Sequence, residues 1–437
     1  MEKVSTEGLV RGIRRWDLIA IAINAIIGAG IFGLPSDVYA RIGSYSLIAF
    51  VACALVVTLI ILCFAEVGSR FSETGGPYLY AREAFGPTLG FEVGWLIWLA
   101  RLTAFAANCN LLVSYLGYFW TDATAGAGRV AVIILVVVSL AAINILGVRQ
   151  ATIVSNVFTV GKLVPLLIFI VAGLFFLSPH NYSFAMRPAY VPFSQSVLKL
   201  IYAFSGFEMA VIPAGEVRDP RRQVPLALLV AIAVVALLYV LIQIVCIGTL
   251  PELAASPRPL ADAATRVLGQ AGGVIISAGA LISIIGNLNI ILLSGSRVPF
   301  AMAEQQQLPS FVARVHRRFF TPYVSILISA AAMLVLTLSG TFIYALTISA
   351  IARLLTYAAT CAALPVFRRR KNVPPAIFKL PAGTIAAIIS LALAAWLLSN
   401  STRGEARDTC LAALVGLLIY FLHKPLQRRS RAHVQSS

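Results

Sequence analysis

Lys162, Glu208, Arg101 and Arg353 are ionisable side chains set inside long apolar runs. A charge in such surroundings is costly unless it is paired or watered, so each marks a candidate functional position. Lys162 stands in Thr159-Val-Gly161-Lys162-Leu-Val-Pro165, well inside its run. A buried lysine can load and release a proton; the plainer alternative is a stem that snorkels to the surface. Glu208 suits a proton acceptor, a ligand for a cationic group, or one half of a buried ion pair. Arg101 is a partner for Glu208 or a receiver for an acidic side chain on a bound molecule. Arg353 competes for the same carboxylate, and sequence does not choose between the two arginines.

Two of the apolar runs are interrupted by small residues. The first reads Asn24-Ala-Ile-Ile-Gly28-Ala29-Gly30-Ile-Phe-Gly33-Leu-Pro35. If the helix unwinds at Gly28, Ala29 and Gly30, the second half presents free N–H groups and the positive end of its dipole, which suits a carboxylate. The carbonyls released near Ile26 and Ile27 suit an ammonium group. A tight helix–helix contact through small residues is the alternative. The second run reads Tyr202-Ala-Phe204-Ser205-Gly206-Phe207-Glu208, followed by Pro213 and Gly215. Paired interruptions at corresponding places in two halves of a chain point to a binding site built between repeats.

The elements that must position these residues follow from composition. The chain has 437 residues, 59% hydrophobic and 12% charged, and a mean hydropathy of +0.90. Soluble domains carry about a quarter charged residues, so a soluble enzyme, a disordered chain and a disulfide scaffold are excluded. A hydrocarbon core takes about 20 helical residues. Twelve such runs lie near 16–38, 45–65, 88–118, 129–147, 151–177, 195–215, 224–249, 270–296, 322–340, 343–366, 380–399 and 409–423. The runs are continuous rather than alternating, which disfavours a β-barrel. Of 34 Lys and Arg residues, 23 fall on the side of the N-terminus, 7 on the other and 4 within runs (Arg101, Lys162, Lys199 and Arg353). The positive-inside rule then places both termini in the cytoplasm. The net charge of +17 is therefore a topology signal rather than a sign of nucleic acid.

The expected organisation is a cytoplasmic N-terminus (1–15), a first group of five spans (16–177), a second group of five (195–366), two further spans (380–423) and a cytoplasmic C-terminus (424–437). Five spans per group force the two groups into opposite orientations. The six cysteines lie in or at the ends of runs without a Cys-x-x-Cys, and the four histidines lie in loops or at a run end. Neither pattern suits a metal centre, and no cofactor is expected. Gly75-Gly76-Pro77 lacks the following Gly-Lys-Ser/Thr of a phosphate loop. Glu66, Glu73, Arg70 and Arg82 look like a solvated charge cluster at the cytoplasmic face. Asn287 and Asn289 read as interhelical packing amides or as amides lining the site.

Several stretches resemble the amino acid–polyamine–organocation superfamily. Ile27-Gly28-Ala29-Gly30-Ile31-Phe32-Gly33 is similar to its helix 1 motif, with Ala29 where a serine is commoner. Phe64-Ala-Glu66 through Pro77-Tyr78, Phe204-Ser-Gly-Phe-Glu208, Gly215-Glu216-Val-Arg-Asp219-Pro220-Arg221 and Ala301-Met-Ala-Glu-Gln with Leu308-Pro309 resemble its later motifs in order. The resemblance implies an all-α integral membrane protein with twelve helices, a LeuT-type 5+5 inverted repeat and two C-terminal helices. It implies a substrate carboxylate at Gly28, Ala29 and Gly30, an ammonium at Ile26, Tyr202 and Ser205, and Tyr202 capping the pocket. It also implies that Lys162 replaces a sodium ion, with Ser283 a second partner.

The expected function is a secondary active, sodium-independent amino acid transporter of the cell membrane. It would work by alternating access, coupled to protons or to amino acid exchange. Exchange of polyamines or organic cations is the alternative. An intramembrane enzyme should show a nucleophile–base set, and a channel should show a filter motif; neither pattern is present. With no cysteine clearly in an outer loop, no covalent protein partner is expected.

Overall fold

The computed structural model describes residues 13–73, 75–146, 151–185, 187–212 and 214–435, with the side chains of 151–160 and 423–435 outside the description. Pro213 lies outside the described residues, as do Lys3, Arg11 and Arg149 of the 23 basic residues on the side of the N-terminus; the side chains of Thr159 and of the C-terminal Lys424, Arg428, Arg429 and Arg431 of that group lie outside them too.

The described residues form helices and turns, with an isolated bridge between Ile13 and Val217. The helices are α1 (Arg15–Ile26), α2 (Ala29–Ile42), α3 (Ser46–Gly68), α4 (Pro77–Phe85), α5 (Pro87–Leu116), α6 (Gly126–Leu146), α7 (Ala151–Leu174), α8 (Tyr190–Phe204), α9 (Pro220–Thr249), α10 (Pro259–Glu304), α11 (Tyr323–Ser339), α12 (Phe342–Arg369), α13 (Gly383–Ser399) and α14 (Arg403–Gln435). Proline opens α4, α5, α9 and α10, where a missing N–H costs nothing because the first-turn donors have no helical partner.

Among the described residues, six helical stretches are long and apolar enough to cross a membrane, and the bent pair α13 and α14, at 116°, would make a seventh. Twelve such spans were expected. The remaining expected runs are shorter or joined here: α1 has 12 residues, α8 15 and α11 17, α2 and α3 form one stretch over Ala29–Gly68, and α7 is described in full only over Gly161–Leu174. The outward faces are apolar, with Leu135 of α6 67% exposed, Leu237 of α9 61% and Val335 of α11 64%. A belt of large apolar side chains on this scale suits acyl chains and not water. The chain is a multi-pass membrane protein.

At the centre, α5 packs against α10 and α12, and α3 packs against α9. At the end of α3, the expected solvated cluster is corrected. Glu66 is fully buried and accepts from Arg368 Nε at 2.8 Å and Nη2 at 2.6 Å, and from the Leu380 N–H at 2.9 Å. Arg70 Nη2 lies 3.5 Å away, while Arg82 pairs with its exposed neighbour Glu83. The end of α12 and the segment around Leu380 fold over Glu66 and exclude water.

Candidate functional site

The first run breaks where its glycine falls. Helix α1 ends at Ile26, Gly28 is extended (φ −123°, ψ −155°) and α2 begins at Ala29 with no side chain capping its N-terminus. Helix α8 ends at Phe204, and Gly206 follows at φ +113° before a short 3-10 turn over Phe207–Ala210. Only glycine takes that conformation without strain.

The two breaks face one another closely. A Cβ on Gly206 would lie 2.2 Å from the Ala25 carbonyl oxygen, and one on Gly30 would lie 2.7 Å from the Cα of Ala203. The Tyr239 hydroxyl of α9 stands 3.1 Å from the Ile26 carbonyl and 3.2 Å from the Ala203 carbonyl, so one group bridges both breaks. The outer halves are joined again by Lys199 Nζ of α8 and Asp37 of α2 at 2.8 Å.

Lys162 is buried and does not snorkel. Its Nζ donates to the carbonyls of Asn24 at 3.1 Å and Ile27 at 2.9 Å. Both carbonyls are freed by the break in α1, so the lysine occupies the place of their missing helical donors. Ser283 of α10 is fully buried too, but its hydroxyl has no hydrogen-bond partner among the described residues; Lys162 reaches carbonyls instead.

A cavity of about 30 Å³ lies between the breaks. Ile26, Gly28, Ala29, Gly30, Tyr202 and Ser205 line it, together with Arg101, Arg353, Asn108 and Asn287. The Ser205 hydroxyl donates to the Tyr202 carbonyl at 2.7 Å. Asn108 Nδ2 donates to the Tyr202 hydroxyl at 2.6 Å, and Asn287 Nδ2 donates to Asn108 Oδ1 at 2.9 Å. Asn289 instead accepts from Asn144 of α6 at 2.9 Å, a packing bond.

Glu208 is paired with both arginines. Arg353 Nη1 binds its Oε1 directly, and Arg101 Nη2 lies 3.5 Å from the same oxygen. The other oxygen accepts from the Tyr357 hydroxyl at 2.7 Å and the Gly206 N–H at 3.0 Å. Arg101 also contacts the sulfur of Met209. Met209 lines a second, larger cavity of about 430 Å³ with Tyr78, Ile97 and Gln305. The Arg101–Met209 contact therefore stands between the two cavities.

Ten of the eleven residues singled out from the sequence line the cavity or bond to the breaks and Glu208; Ser283 is buried on α10 and makes none of these bonds. Tyr239, Asn108 and Tyr357 were not foreseen. Asn108 carried a usable signal, an amide inside an apolar run; the two tyrosines carried none.

The chain matches the amino acid permease family over residues 13–421. It is similar to the serine/threonine exchanger SteT of Bacillus subtilis (strain 168), at 28% identity over 94% of this chain and 95% of that protein. It is also similar to the methylthioribose transporter of the same organism, at 27% identity over 96% of this chain and 94% of that protein. A third relative there is the branched-chain amino acid permease BcaP, at 25% identity over 95% of this chain and 94% of that protein. These relatives are named as transporters, not enzymes.

Proposed function

The chain belongs to the amino acid permease family, and on that premise we propose that it is a sodium-independent secondary transporter of amino acids. The observation that carries this reading is the pair of facing helix breaks around one cavity, with the uncapped N-terminus of α2 on its wall. An α-carboxylate would bind the N–H groups of Gly28, Ala29 and Gly30. An α-ammonium would bind carbonyls at the breaks, near Ile26, Tyr202 and Ser205.

Lys162 supports independence from sodium. An ammonium held by two carbonyls of the α1 break takes the position a metal cation would need. Uptake would then run on proton symport or on amino acid exchange. The engagement of Glu208 by Arg353, Arg101, Tyr357 and Gly206 leaves no carboxylate for a polyamine, which favours amino acids over organic cations.

We place the protein in the cell membrane with both termini cytoplasmic, as twelve spans in a LeuT-type 5+5 inverted repeat. The repeat reading is supported by a correspondence between its halves. Each fifth helix sends a cation to the break in the first helix of its own half: Lys162 of α7 to α1, and Arg353 of α12 to Glu208 beyond α8. In this frame the larger cavity, beside Tyr78 and Arg297, is the cytoplasmic vestibule. The cavity at the breaks, about 30 Å³, is far smaller than the roughly 300 Å³ or more of a small-molecule site, so substrate entry requires bundle helices to separate.

The test is uptake of a panel of labelled amino acids into proteoliposomes. Uptake of putrescine with no uptake of any amino acid would overturn the proposal.

A further inference from the structure

We infer that the site selects amino acids whose side chain carries a carboxylate, with Arg101 as the residue that receives it. This rests on the amino acid transport reading above and specifies its substrate class.

The buried charges around Glu208 do not balance. Arg101 and Arg353 are 4% and 6% exposed, and the acidic group they share is the single carboxylate of Glu208. That leaves one positive charge over in a buried cluster, a costly state unless a bound anion completes it. The surplus is on Arg101. Arg353 holds Glu208 Oε1 directly and places Nε 3.4 Å from the Ser349 hydroxyl. Arg101 lies at 3.5 Å from the carboxylate, and its remaining described side-chain contact is the Met209 sulfur, a weak acceptor.

Position adds the second line. Arg101 lines the cavity at the helix breaks together with Gly28, Ala29 and Gly30 at the N-terminus of α2. The cavity thus carries two groups suited to anions, a helix N-terminus and a guanidinium. One carboxylate can be met by the N–H groups of α2. A second, on the side chain of the same molecule, can be met by the planar guanidinium, which matches carboxylate geometry. A zwitterion with a neutral side chain leaves the surplus charge in place. A dicarboxylic amino acid, with net charge −1, cancels it.

The test is competition and uptake with the full chain in proteoliposomes, using labelled glutamate, aspartate, serine, leucine and arginine. The inference predicts that glutamate or aspartate is taken up with a KM at least tenfold below that of the neutral amino acids. It further predicts that R101Q lowers the acidic-to-neutral uptake ratio at least tenfold and that R101K restores part of it. Size-exclusion profiles check folding, and the wild-type competition series stands even if R101Q does not fold. Uptake of neutral amino acids that neither glutamate nor aspartate inhibits would overturn this inference and leave the transporter reading intact. An R101Q protein with an unchanged ratio would also overturn it. Uptake of no amino acid at all would overturn both.

Discussion

Lys162 donates from Nζ to the carbonyl oxygen of Ile27 across 2.9 Å, joining α7 to the break in α1. The bond exists because Gly28 interrupts the helix and leaves that carbonyl without a backbone donor. The ammonium supplies donors to two carbonyls that the break leaves without helical partners.

Lys162→Ala removes the donor from the Asn24 and Ile27 carbonyls at once. Each buried acceptor left unpaired costs about 1–3 kcal/mol, concentrated on the segment that forms the site. Uptake should fall to background in proteoliposomes while the size-exclusion profile stays monodisperse. Sodium-independent transport at the wild-type rate would refute the role given to Lys162.

Gly206 and Gly269 both hold positive φ, at +113° and +68°, and separate strain from contact. A Cβ at Gly206 meets the Ala25 carbonyl oxygen at 2.2 Å, whereas one at Gly269 meets nothing within 4 Å. G269A should cost only the strain of its glycine-type backbone (φ +68°, ψ −167°), about 1–3 kcal/mol. G206A should cost clearly more, as a lower Tm, and should lose transport because the breaks are forced apart. Equal Tm values for the two variants would contradict the packing of one break on the other.

Glu208→Gln leaves two buried guanidiniums without a counter-charge. Breaking a buried pair in this way costs about 3–5 kcal/mol, so the variant should unfold at a markedly lower temperature by scanning fluorimetry. Four groups already engage the carboxylate, so the expected pH profile of any remaining uptake keeps its shape. A Tm equal to that of the wild type, or a flattened pH profile, would assign Glu208 a titrating role instead.

Tyr239→Phe keeps the ring and removes the hydroxyl between the Ile26 and Ala203 carbonyls. The expected loss is about 1–3 kcal/mol, with a raised KM because both carbonyls belong to the breaks. An unchanged KM would show that the bridge does not shape the binding site.

The broken helices and the charges in apolar runs were legible in the sequence because each violates a strong local rule. Glycine pairs weaken a helix anywhere, and Lys162 has no inexpensive place in lipid. What the sequence lacked was depth. Glu66 looked solvated because it sits near a loop with three other charges; the chain returns some 300 residues later, at Arg368 and Leu380, to bury it. The choice between Arg101 and Arg353 was also undecidable, since both reach Glu208 and only the distances assign direct pairing to Arg353. Tyr239 was invisible because a tyrosine in an apolar run reads as packing until its hydroxyl is seen between two carbonyls.

The most direct test of the account is uptake of labelled amino acids by the purified protein in proteoliposomes, with sodium replaced by choline. The account predicts saturable uptake of at least one amino acid at the same rate in both media, abolished by K162A. Uptake that requires sodium, or uptake of putrescine with no amino acid transported, would contradict it.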